Sequence, residues 1–596
     1  MTEKLAYIGQ HYLVLAVCAL ACWGLGQTAL PRDARRSVLG GLLGLALGMG
    51  IVICGLQAMA IAGQLRPWGI LSLLAVGLTA AILQCAKTMP RPLKVLAAWW
   101  SPLSFFARGS VVLAGLFGAS TLVLPMVPPA GSDAAMYHLP HARAWAESGA
   151  LDIHGWLRYP WFPYNLDLPY APALLLYDDI FAQLLAALPG WVCAGLVFQV
   201  ALRFTGVPGA SVATIFWIQA SRDHYAYAGV DLAVSLFVFG AYAAYLQART
   251  SPSKSAWMLI SAFFLGVACG GKYQALTFVP LLLPGLWWTD RRPATIAKAA
   301  LAFLLPCVYW YARNTIMTGD PFQPMGGKIF GFSDWSLADY QIQFADLKRH
   351  ADWPIWYLWP MLLVPLSREW REGREGREGC SGAGMRAAFG ICAYGIAVWL
   401  ATSHYSRYLL PVYPLMGILS VVGWGMLFRT GARHLPFLRL PQSPHTSKPL
   451  RRAGWILLII LTPLLGYSWV KGFAKVSPTQ ASRDTYLQGR VVSYEALTYV
   501  QTIPSLRVYQ VGLDDAIYFS KKPLYGDVFG PWRYADFVER PAPEFAARLL
   551  AAGFDTFIIR TETSPATEQQ ADFGRYFTPL FSRHGVTVYH VRPSSL

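Results

Sequence analysis

Apolar stretches of about 20 residues recur along most of this chain, and a stretch of that length crosses a bilayer as a single helix. Windows of that size predict about fourteen crossings, near 12–30, 38–61, 68–86, 109–128, 183–204, 207–221, 230–247, 256–271, 274–289, 297–316, 353–367, 386–402, 408–427 and 454–473. Only 14% of the residues are charged and 55% are hydrophobic, whereas soluble proteins run to roughly a quarter charged. A soluble enzyme, a disordered chain and a small disulfide scaffold are thereby excluded. The first stretch is too long for a signal-peptide core and is read as retained. The expected fold class is an all-α polytopic membrane protein with a small C-terminal α/β domain outside the bilayer.

Basic residues outnumber acidic ones by 49 to 32, and in a membrane chain such an excess is first a topology signal. When the crossings alternate, Arg32, Arg35 and Arg36, then Lys87, Arg91, Lys94 and Arg108, fall on one side. Arg249, Lys254, Arg291, Arg292, the 368–379 run and the 429–452 stretch fall there too. That side is the cytoplasm by the positive-inside rule, which puts the N-terminus outside. The Arg-Glu-Gly triplets of 371–379 suit a solvated link. The opposite face receives the loops 129–182, 222–229, 270–273, 317–352 and 403–407 and everything after 473. Function is sought there, because loops held by a rigid scaffold carry chemistry.

Residues 474–596 change character. Alternation over 506–512, 554–560 and 586–592 predicts three strands. A helix pattern over 543–552 is closed by Gly553. This outer domain shows no cysteine and no obvious catalytic cluster. Elsewhere the cysteines lie mostly in apolar stretches, and neither a CxxC pair nor a zinc spacing occurs.

The first outer loop opens with Gly131-Ser132-Asp133 and continues Tyr137-His138-Leu139-Pro140-His141. An acid directly after a span, followed by aromatic and imidazole groups, suits a general base in a partly buried site. Asp133 equally suits the cap of the helix behind it. Residues 142–148 could form an amphipathic helix on the membrane surface with Arg143 and Glu147 wet. Asp133, His138 and His141 could hold a metal ion, with Asp231 a further candidate, although a paired polar loop is the commoner arrangement. Asp231 stands at the outer mouth of its span, where the helix dipole alone favours an acid. Lys272, Arg313 and Arg407 mark the same face. Cations there oppose the topology bias, so either they snorkel to lipid head groups or they bind an anion, most simply a phosphate. Nucleotide-activated donors are made in the cytoplasm, so an outward site with phosphate-binding cations suits a lipid-phosphate donor.

At these residues the sequence resembles the polytopic glycosyltransferases of the GT-C fold, in particular the bacterial branch related to protein O-mannosyltransferases and to the aminoarabinose transferase acting on lipid A. The matching pieces are Gly131-Ser132-Asp133 with Tyr137-His138-Leu139-Pro140, then Val230-Asp231-Leu232 and Gly271-Lys272-Tyr273. Arg313-Asn314 with Thr318-Gly319-Asp320-Pro321, and Arg407-Tyr408-Leu409-Leu410-Pro411, complete the set. The resemblance implies that Asp133 is the catalytic carboxylate, with Asp231 the second acid beside it. It implies that Lys272, Arg313 and Arg407 surround the donor phosphate, with Tyr137, His138, Tyr273, Asn314 and Tyr408 contacting substrate. Residues 1–107 would be additional N-terminal helices, 108–473 the catalytic membrane module and 474–596 the outer domain. The lone Asp133 differs from the two adjacent acids of the protein mannosyltransferases, which weakens the case for a protein acceptor.

The expected activity is an inverting sugar transfer from a polyprenyl-phosphate donor to a hydroxyl of a lipid, glycan or protein, with Asp133 taking the proton. A divalent metal ion is a possible cofactor. Membrane lipids, and no nucleic acid, are the other expected partners. The place is a bacterial inner membrane, with the site facing the periplasm. The rival class is a lipid or lipid-linked sugar flippase, which should show inverted repeats and ionisable groups near the bilayer midplane. A third is a non-catalytic binding scaffold.

Overall fold

A computed structural model describes residues 1–88, 97–131, 133–350, 352–367, 370, 382–434, 448–505 and 507–593. Ser132 and the triplet run 371–379 lie outside those residues. The chain is mostly helical, and every apolar window lands on helix. Among the described residues, nine helices are long and apolar enough to cross a membrane. Shorter apolar helices occupy Lys254–Cys269, Tyr273–Leu282 and Trp356–Leu366, and the window near 454–473 lies in the helix Lys448–Ala474.

The longest helix, Asp179–Ala220, carries two windows because it breaks at Gly206, where φ is 69°. That left-handed turn is open to glycine at little cost. Trp217 Nε1 donates to the Gly190 carbonyl at 3.0 Å, so the two halves run back along each other as a hairpin. Helices Thr2–Ala29 and Val38–Ile61 pack through glycines. A Cβ at Gly26 would collide with the Gly44 carbonyl, and one at Gly48 with that of Cys22. Lipid tails are as apolar as the side chains, so close backbone approach is what holds such a pair together.

The N-terminal helices within 1–88 join the main core. Gln57 donates to Asn165 Oδ1 at 3.1 Å, and Asn165 in turn donates to the Pro306 carbonyl. His11 meets Asp178 at 2.9 Å. Lys4 Nζ donates to the Ala474 carbonyl at 2.7 Å, so the N-terminus shares a face with the entry to the outer domain.

That domain is built on five strands: β1 Val508–Val511, β2 Leu524–Tyr525, β3 Thr556–Arg560, β4 Phe577–Arg583 and β5 Val586–Val591. Their order is β2-β1-β3-β5-β4. β1 runs parallel to β2 and β3, and β5 runs antiparallel to β3 and β4. The predicted strands correspond to the inner three, which bury nearly all their residues. The predicted helix is Ala542–Ala551, followed by Gly553 at φ 80°. β4, with Pro579 beside a register shift and its middle residues exposed, is an edge strand of the kind that tolerates proline. It turns into β5 through His584 and Gly585, both at positive φ, the conformation a two-residue hairpin needs.

Candidate active site

Asp133 precedes a turn of π-helix over Ala134–His138, a distortion that recurs at functional sites. Its side chain makes no cap hydrogen bond, so capping is not its role. It meets Arg407 instead, Nη1 to Oδ2 at 2.5 Å. Arg407 rides on the short helix Ser406–Val412, and its guanidinium lies over the rings of Tyr405 and Tyr408. Burial works to raise the Asp133 carboxyl, but the Arg407 guanidinium and then His138 outweigh it and hold the group below the usual aspartate range. A carboxylate held this way suits a fixed negative charge better than a proton acceptor.

Lys272 follows the glycine pair that ends the helix Lys254–Cys269. A Cβ at Gly270 would strike the Asn165 amide, and one at Gly271 the Leu166 side chain. The pair therefore lets the first outer loop close down here, and Asn165 N donates to the Gly270 carbonyl at 2.8 Å. Lys272 Nζ then reaches Asp231 Oδ1 at 2.5 Å and sits over the Tyr408 ring. His224 Nδ1 lies 3.7 Å from the other Asp231 oxygen. Burial lowers the His224 imidazole, and Asp231 only partly opposes that.

Asp133, Tyr137, His138, Lys272, Tyr273, Arg407 and Tyr408 all line one cavity of 480 Å³. Asp231 stands behind Lys272. Two carboxylates and two cations, gathered from four separate chain segments, thus meet at the loop ends of the bundle. Each cation is already balanced, so an incoming phosphate would have to compete with a carboxylate for it.

Arg313 and Asn314 do not line the cavity. Arg313 is buried in the helix Pro293–Thr318 and donates to Asn314 Oδ1 at 2.9 and 3.1 Å. Its guanidinium lies 5.0 Å from the Trp310 ring and 5.7 Å from that of Trp161. Asn314 Nδ2 donates to the Trp161 carbonyl and, at 3.0 Å, to the Tyr273 hydroxyl. Both residues therefore brace the wall from behind, and the expected third phosphate cation is not at the cavity. The cation that does line it there is Arg158, whose guanidinium is taken up by Asp527 and, at 3.1 Å, by Asp514. Sequence reasoning missed this link between loop and outer domain, because the partners are 369 residues apart and each looks ordinary alone. Tyr159, next in line, holds a non-glycine φ of 58° on the cavity wall, which costs of the order of 1 kcal/mol.

Residues 139–148 form a helix and Glu147 is exposed as expected, but Arg143 is half-buried: it donates to the Tyr518 carbonyl and stacks on the Tyr518 ring beneath the outer domain. The residues considered for a metal are otherwise engaged: Asp133 by Arg407, His138 by Asp167, Asp231 by Lys272, and His141 by the Arg158 carbonyl. Among the described residues no group of three His, Cys, Asp or Glu side chains is disposed to hold a metal ion.

A family model described as SF2091/S2213 matches residues 482–590. Among solved structures, the chain is similar to ArnT from Cupriavidus metallidurans bound to undecaprenyl phosphate, with a TM-score of 0.47 and 17% identity over 81% of this chain and 98% of that one. It is also similar to the archaeal oligosaccharyltransferase AglB from Archaeoglobus fulgidus, in complex with an inhibitory peptide and a dolichol-phosphate, with a TM-score of 0.46 and 11% identity over 83% and 75% of the two chains. Two Shigella flexneri proteins match in sequence. The uncharacterized protein SF2093/S2215 is 41% identical over 126 residues, 20% of this chain and 63% of that protein, so the chain spans less than two thirds of it. The uncharacterized protein SF2092/S2214 is 30% identical over 127 residues, 21% of this chain and 69% of that protein. On that second match, the chain belongs to the family of the uncharacterized protein SF2092/S2214 of Shigella flexneri.

Proposed function

We propose that the protein is a membrane glycosyltransferase that moves a sugar from a polyprenyl-phosphate donor to a hydroxyl acceptor, with inversion, at the outer face of a bacterial inner membrane. One observation carries the reading: Asp133, Lys272 and Arg407, far apart in sequence, line a single cavity at the loop ends of the helices. A lipid-linked donor can leave its tail among the helices while its phosphate meets Lys272 and Arg407. As the bond from the anomeric carbon to the phosphate oxygen breaks, negative charge gathers on the phosphate, and cations already fixed in place stabilise it without reorganising. Asp231 holds Lys272 in position. Asp133, kept ionised by Arg407, faces the positive charge that develops at the anomeric carbon and orients the acceptor hydroxyl. Tyr137, Tyr273 and Tyr408 shape the sugar site. A single displacement, with donor and acceptor in one cavity, inverts the anomeric carbon. In this reading 108–473 form the catalytic module, 1–107 buttress it, and 474–596 cover it from outside.

The test uses the full chain in liposomes with undecaprenyl-phosphate-linked ¹⁴C-glucose, -mannose and -arabinose, and an envelope extract as acceptor source. Transfer of label with release of undecaprenyl phosphate is the expected result. Movement of intact donor across the bilayer without cleavage contradicts the proposal and favours a flippase.

A further inference from the structure

His138 and Asp167 form an acid–base couple on the cavity wall beside Asp133. The His138 Nδ1 to Asp167 Oδ1 distance is 2.5 Å, both residues line the cavity, and their exposures are only 4% and 1%. Among the described residues, Asp167 Oδ2 is buried without a partner, and the one hydrogen-bonded contact of the carboxylate is the imidazole. The couple is held rigidly. His138 closes the π turn and starts the helix Leu139–Ser148. Asp167 is fixed by its own backbone, its N–H donating to the Tyr164 carbonyl and its carbonyl accepting from Tyr170 N.

A carboxylate on Nδ1 fixes the tautomer: the proton sits on Nδ1, and Nε2 keeps the lone pair. The ring is thereby prepared to take one proton and to have the resulting imidazolium stabilised by the acid behind it. Asp133 is poorly suited to that task, because Arg407 already satisfies it. Asp133, Asp167 and His141 are the charged and titratable groups close to the imidazole, the Tyr137 ring centroid is 4.1 Å from that of His138, and Lys272 and Arg407 line the same cavity.

We propose that His138 is the general base of the transfer and Asp167 the residue that positions it; this rests on the glycosyltransferase reading. The acceptor oxygen attacks the anomeric carbon and forms the new glycosidic bond. The bond from that carbon to the phosphate oxygen breaks, its electron pair leaving with the polyprenyl phosphate. The hydroxyl proton passes to His138 Nε2 and from there to water. No oxidant or reductant is involved.

The experiment compares wild type, His138→Gln, His138→Ala and Asp167→Asn in liposomes, with whichever of the three ¹⁴C-labelled undecaprenyl-phosphate sugars wild type uses. Removing the base lowers kcat by roughly 10²–10⁴-fold. In His138→Gln the KM for donor stays near the wild-type value and the acid limb of the kcat–pH profile disappears. Asp167→Asn lowers kcat and displaces that limb. Added imidazole restores part of the lost rate to His138→Ala, a readout that a purely structural histidine would not give. Equal kcat and an unchanged profile in His138→Gln overturn the inference and leave the transferase reading standing. If that variant does not fold, a wild-type rate and profile in Asp167→Asn overturn it instead. Failure of wild type to cleave any of the three donors overturns both.

Discussion

Asp133 and Arg407 are 274 residues apart in the chain, yet carboxylate and guanidinium lie 2.5 Å from each other on one cavity wall. The contact joins the first outer loop to the short helix that precedes the span Tyr413–His434. Because the pair fixes a negative and a positive charge where a sugar phosphate would react, Asp133→Asn should lower kcat by about 100-fold or more while expression stays near normal. Arg407→Gln should raise the Kd for undecaprenyl phosphate by about tenfold or more, each tenfold being about 1.4 kcal/mol. Single-turnover rates and a lipid-binding titration check the two effects separately.

Lys272 and Asp231 form the second pair, with the acid deeper than the cation. Lys272→Met removes the cation in contact with Asp231 and leaves it only His224 at 3.7 Å and the field of the more distant Arg407, which is costly for a buried group. The double variant Lys272→Met/Asp231→Leu should therefore be more stable than Lys272→Met alone, yet equally inactive. Thermal unfolding of the single and double variants, with activity measured in parallel, tests this coupling.

Arg313 gives the opposite signature. Wedged between Trp161 and Trp310 and bonded to Asn314, it contributes packing and a planar stack that lysine does not reproduce. Arg313→Lys is expected to cost about 1–2 kcal/mol of stability with the KM for donor unchanged. A tenfold rise in donor KM without loss of stability would return Arg313 to the phosphate site.

Asp514 provides a pH test of the contact between outer domain and loop. Burial pushes its carboxyl up to about 6, with Arg158 only partly opposing. A folded-state value above the unfolded one means that the native protein binds the proton more tightly. The contribution of this group to stability is therefore greatest below the ordinary aspartate range and falls as pH rises from about 4 to about 6. The difference in melting temperature between wild type and Asp514→Asn should change across that window and level off above it; a flat difference contradicts the assignment.

Much of this was legible in the sequence. Apolar length alone located the helices, because bilayer thickness sets a fixed demand. The meeting of Asp133, Lys272 and Arg407 was legible because a charge at a loop–span junction on the side away from the basic loops needs a partner. Arg313 misled because that rule gives the depth of a residue and not the direction its helix turns it. Asp167 and Arg158 stayed hidden in 149–169, a stretch rich in aromatics and proline with no clear helical or strand periodicity, where only the folded loop shows that one meets His138 and the other the outer domain. β4 was missed because its proline and exposed middle residues break the alternation by which strands are read.

The central claim is that Lys272 and Arg407 together cradle a lipid phosphate in the cavity that Asp133 lines. A cryo-EM map of the full chain with undecaprenyl phosphate tests it most directly. The account predicts phosphate density within hydrogen-bond reach of both cations, with the tail running down among the helices. Phosphate density at another site, with the Asp133–Arg407 and Asp231–Lys272 pairs undisturbed and the cavity empty, would contradict it.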